Sequence, residues 1–77
     1  MSRFVDRAHA VEGLRNANGH ELREMKDAGR SMAEMREYLR QHIDLAWLPD
    51  DLADTYAISD RAWTRFLNDI IKAARAG

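Results

Sequence analysis

The chain has 77 residues, 12 Lys plus Arg against 13 Asp plus Glu, and no cysteine. That is enough for one small domain, but far too little for a dinucleotide-binding sheet or a (β/α) barrel, and without Cys there is no disulfide, thiolate metal site or thiol nucleophile. The formal net charge of −1 gives no global footprint for nucleic acid or an anionic membrane, so any such contact has to be local.

Ala, Arg, Leu, Glu, Asp and Met dominate, while Val and Ile are few, which points to an all-α domain over residues 1–77 built from about five short helices. The opening Met1-Ser2-Arg3-Phe4-Val5-Asp6 lacks the apolar stretch of a signal peptide. No run approaches the ~20 residues needed to span a bilayer, so a cytoplasmic protein with no membrane partner is expected. Ten Arg against two Lys, with twelve Ala, is an association with GC-rich coding and fits a bacterial, phage or plasmid source.

In chain order, Phe4, Ala8, Val11 and Leu14 are spaced for one face of a helix over about Arg3 to Arg15. Asn16-Ala17-Asn18-Gly19 reads as a connection, and Asn18 with Glu21 forms a capping box for a short second helix carrying Leu22 and Met25. Gly29 supplies its left-handed stop. Ser31 and Glu34 form another capping box, opening a third helix that carries Met32, Met35, Leu39, His42 and Ile43 at helical spacing and Glu34, Arg36, Glu37 and Arg40 on a solvated face. Asp44 to Pro49 is an apolar connector containing Trp47. A fourth helix over about Pro49 to Ala57 begins with Asp50 and Asp51 at its positive dipole end and turns Leu52, Ala53 and Tyr56 inward. Ile58-Ser59 breaks it. Ser59 caps the last helix, about Asp60 to Ala76, whose apolar stripe is Trp63, Phe66, Leu67, Ile70, Ile71 and Ala74.

The stretch Leu52 to Phe66 resembles a helix-turn-helix, and the resemblance extends over about residues 49–72. Ala53 stands where the two helices cross closely, Ile58 where a buried residue plugs the gap after the turn, and Trp63 with Phe66 where the second helix is anchored. Ala57 occupies the place that such turns usually give to glycine. Upstream, Ala28 to Met35 looks like the supporting helix pair of recombinase-type domains. The resemblance implies a small DNA-binding transcriptional regulator without cofactor. Arg61, Thr64, Arg65 and Asn68 would then face base edges of double-stranded DNA, with Ser59, Lys72 and Arg75 toward phosphates. One such helix reads few base pairs, so a homodimer is expected, joined through the N-terminal helix and the Trp47 connector.

Charge is unevenly placed. Residues 44–60 hold Asp44, Asp50, Asp51, Asp54 and Asp60 without a base, whereas residues 61–77 hold Arg61, Arg65, Lys72 and Arg75 against Asp69 alone. The basic helix favours phosphate contact; the acidic segment favours the alternative, a protein-binding module or inhibitor docking on a basic partner. In a purely structural reading, Arg61 and Arg65 pair with Asp60 and Asp69 along the helix, and Met25, Met32 and Met35 fill the core. His9, His20 and His42 form no metal-binding pair, Asp50-Asp51 is helix-start charge, and no enzyme activity is expected.

Overall fold

A computed structural model describes residues 2–76. It is all α: α1 (Arg7–Asp27), α2 (Met32–His42), one 3₁₀ turn (Leu45–Trp47), α3 (Asp50–Ile58) and α4 (Asp60–Ala76). Four α-helices thus stand where five were expected, because the chain does not break at Asn16–Gly19 and the first two helices are one. Asp6 caps α1, its side chain accepting from the His9 N–H at 2.8 Å, so the helix starts after Phe4 and Val5. Asn18 is no N-cap. It is buried inside α1, donating Nδ2–H to the Leu14 carbonyl at 2.9 Å and accepting from the Tyr38 hydroxyl of α2 at 3.4 Å. A turn-forming amide is tolerated in mid-helix because its own polar atoms are satisfied there.

The remaining punctuation follows local chemistry. Gly29 takes φ +78°, and the amides of Gly29 and Arg30 bond back to the carbonyls of Lys26 and Met25, closing α1 with a Schellman motif. Ser31 and Glu34 make both halves of the expected capping box. Ser59 caps α4, its Oγ accepting from the Ala62 N–H at 3.2 Å. The connector is tied down: Asp44 accepts from Ala46, and the Trp47 carbonyl accepts from the amides of Arg3 and Phe4. The Arg3 guanidinium lies 4.3 Å from the centroid of the Trp47 ring.

α4 is the axis of the domain, packing on α1, α2 and α3. Phe66, Leu67, Ile70, Ile71 and Ala74 meet Ala10, Leu14 and Leu22 of α1, Met35 and Leu39 of α2, and Tyr56 of α3 in one core. Met25, Met32 and Trp47 pack against its rim. Phe66 is also the centre of an aromatic cluster, with Tyr56 stacked at 4.9 Å and Trp63 at 5.8 Å between centroids. Arg7 pins the start of α1 to α4 through an ion pair with Asp69, its guanidinium 5.6 Å from the centre of the Phe66 ring. That bond holds Arg7 above its ordinary pKa, and burial pushes the Tyr56 hydroxyl up.

The α3–α4 corner departs from the sequence expectation. α3 runs one residue further, through Ile58, so Ser59 alone separates the helices. Ile58 is 88% exposed and plugs nothing. The reason is rotational: two residues after the buried Tyr56, at ~100° per residue, a helical side chain lies on the opposite face. Tyr56 fills the corner instead, against Trp63 and Phe66.

Candidate nucleic-acid interface

Helical spacing decides what α4 shows to solvent. Its apolar positions turn toward the core, and Arg61, Arg65, Asn68, Lys72 and Arg75, at steps of four, three, four and three, line the outer face. Arg61, Arg65, Lys72 and Arg75 are exposed; Thr64 and Asn68 are half-buried on the flank toward α2. The predicted cations therefore come together in one stripe. Ser59 does not join them as a free group, because its hydroxyl caps the helix.

The pairing of Arg61 and Arg65 along the helix does not form. Asp69 is taken by Arg7 from α1, and Asp60 lies beside Arg40 from α2 at 3.5 Å. Among the described residues, Arg61, Arg65 and Lys72 make no hydrogen bond or ion pair with protein groups, and Arg75 reaches only the Met32 sulfur at 3.9 Å. Asp69 and Asp60 thus have their contacts with other helices, and the stripe itself carries cations without an ion pair among the described residues.

Two residues of this surface escaped the sequence reading. Arg36 and Arg40, four apart on α2, read as part of a solvated face. In the fold, Arg36 Nη1 donates to Asn68 Oδ1 at 3.0 Å, and Arg40 Nη2 donates to Thr64 Oγ1 at 3.1 Å. The Arg40 Nε is buried with no partner among the described residues. These two guanidiniums widen the basic stripe into a face shared by α2 and α4. Their position one residue past the core residues Met35 and Leu39 was the available signal, since it puts them at the edge of the buried side of α2.

The remaining candidates are placed elsewhere. His9, His20 and His42 are all exposed and far apart in sequence, engaged locally with Val5, with Glu24, and with Tyr38 respectively. Among the described residues no cluster of His, Asp and Glu could hold a metal ion, and no helix is long and apolar enough to cross a membrane. Asp50 and Asp51 sit exposed in the first turn of α3. Comparison of the chain with protein-family models, with curated proteins and with solved structures returns no match.

Proposed function

We propose that this chain is a small DNA-binding transcriptional regulator that lays the outer face of α4 on duplex DNA. The observation that supports it is the unpaired cationic stripe of Arg61, Arg65, Lys72 and Arg75, with Asn68 and Thr64 at its flank. Helices of this kind contact guanine through Arg and the backbone through Arg and Lys. The helix-turn-helix resemblance supports the same helix as reader. The exposed Ile58 and one-residue corner argue for docking by α4 with α2 beside it, because Arg36 and Arg40 flank the stripe, whereas the start of α3 brings Asp50 and Asp51. A helix of this length covers few base pairs, so two copies on a two-fold site complete the reading.

Fluorescence anisotropy with duplexes from the native locus tests it. Two phosphate contacts per copy, from Lys72 and Arg75, give a log K against log salt slope of about −1.8, at ~0.9 per phosphate. Arg61→Ala with Arg65→Ala abolishes specific binding in this reading. Wild-type protein without salt-dependent affinity for any duplex overturns it.

A second reading, a protein-binding module, draws on α3, where Asp51, Asp54 and Ile58 are all exposed at helical spacing. It requires a stoichiometric partner whose affinity is lost on charge reversal of Asp51 and Asp54.

A further inference from the structure

The outer face of α4 combines its charge with an unusual hydrogen-bonding polarity. Arg61, Arg65, Lys72 and Arg75 carry donors and no acceptor. Asn68 and Thr64 each bring an acceptor oxygen, and both oxygens are taken from behind by α2. Arg36 holds Asn68 Oδ1 at 3.0 Å, and Arg40 holds Thr64 Oγ1 at 3.1 Å. A guanidinium accepts nothing, so the Asn68 atom facing it is the oxygen, and its Nδ2 has no partner among the described residues. The Asp69 carboxylate is engaged by Arg7, and that of Asp60, itself exposed, lies 3.5 Å from Arg40 at the N-terminal border of the stripe. The Asn68 and Thr64 oxygens each keep a second lone pair, but the bond to α2 fixes its direction, and the side chains of the stripe that are free to reorient carry donors alone.

The four base pairs meet such a face differently. In the major groove guanine offers two acceptors, N7 and O6, whereas adenine offers one acceptor beside the N6 donor, which must itself find an acceptor. Bidentate recognition of adenine needs both ends of an Asn or Gln amide free to turn onto the base edge, and the bond from Arg36 fixes the Asn68 amide plane. Resting on the DNA-binding reading above, we propose that α4 selects runs of guanine in the major groove, and that Arg36 and Arg40 act as positioning residues by fixing the direction of the acceptor oxygens of Asn68 and Thr64.

Anisotropy titrations at fixed salt on three duplexes test this. The first carries a central GGG·CCC in a mixed context, the second replaces it with AAA·TTT, and the third keeps GGG with 7-deazaguanine, which lacks the N7 acceptor. The expected result is about tenfold tighter binding to the first than to either other duplex, the low end for loss of a bidentate base contact. Equal affinity for all three with salt dependence retained overturns the proposal and leaves the DNA-binding reading standing; no salt-dependent affinity for any of them overturns both. Arg36→Met, with folding checked by circular dichroism, frees Asn68 Oδ1 and is expected to cut the GGG over AAA preference below about threefold, while an unchanged ratio removes Arg36 from the assignment. The deazaguanine arm leaves the protein unaltered, so its outcome is independent of any folding cost of that variant.

Discussion

Replacing Gly19 by alanine should stabilise the protein. Gly19 lies in the interior of the 21-residue α1, a little over three turns from its first residue at ~3.6 residues per turn, and a Cβ built there meets no atom within 4 Å. The methyl would enter a cleft of about 250 Å³ whose walls include Arg15, His20 and Ala74. The gain is the Gly-to-Ala helix difference, ~0.8–1.0 kcal/mol, much of it from removing conformational freedom in the unfolded chain. At ~4–8 °C per kcal/mol for a domain of this size, thermal melts by circular dichroism should show Tm rising by several degrees. Gly13→Ala is the internal control, because its Cβ would fall within contact distance of the Phe4 ring. Overpacking costs ~1–3 kcal/mol, which offsets the same propensity gain and leaves Gly13→Ala neutral or worse. A Gly19→Ala protein melting at or below wild type would refute the reasoning, since it would mean that α1 does not run helically through Gly19.

Asp6→Ala removes the α1 cap and should cost ~1 kcal/mol, read from denaturant midpoints at an unchanged slope. Asn18→Asp replaces the donor facing the Leu14 carbonyl by an acceptor in a buried position and should cost ~1–3 kcal/mol at neutral pH in the same assay. The Glu34 carboxyl is held below the ordinary carboxylate range by the Ser31 backbone N–H, with Arg30 adding to it. Its contribution is therefore complete above the unfolded value near ~4.3 and is lost as pH falls through the lowered folded value, so Glu34→Gln should flatten the decline of Tm below about pH 4. In the proposed DNA-binding reading, Lys72→Ala weakens affinity evenly across sequences and reduces the salt slope by ~0.9.

The punctuation legible in the sequence was that whose chemistry is local. Gly29 stops α1, Ser31 with Glu34 opens α2, and Ser59 caps α4 using atoms within five residues. The cationic stripe of α4 was legible for a related reason: helical periodicity alone brings Arg61, Arg65, Asn68, Lys72 and Arg75 to one face. Asn16–Gly19 misled because Asn and Gly carry turn propensity, which is overridden by burial of Leu14 and Leu22 on either side and by the bonds of Asn18 to the Leu14 carbonyl and to Tyr38 of another helix. Ile58 misled because a one-residue extension of α3 rotates it from inside to outside. The roles of Arg36 and Arg40 depend on contacts 32 and 24 residues away, which helical spacing does not encode.

The pairing of the first helix with the fourth sets the order in which this protein can come into being. Arg7 meets Asp69 across 62 residues, and Arg15 meets the Ala73 carbonyl across 58. Closing a loop of that length costs ~3.6 kcal/mol of chain entropy before a constant term, by the logarithmic length law. An all-helical chain would ordinarily fold quickly from neighbouring contacts, but here the decisive ones join distant ends. Leu14 and Leu22 have no complete hydrophobic surroundings until the 17 residues of α4 have been synthesised. Folding and the exposure of the cationic face are consequently a single event: proteolytic loss of α4 removes the stripe together with Phe66, Leu67, Ile70, Ile71 and Ala74 of the core.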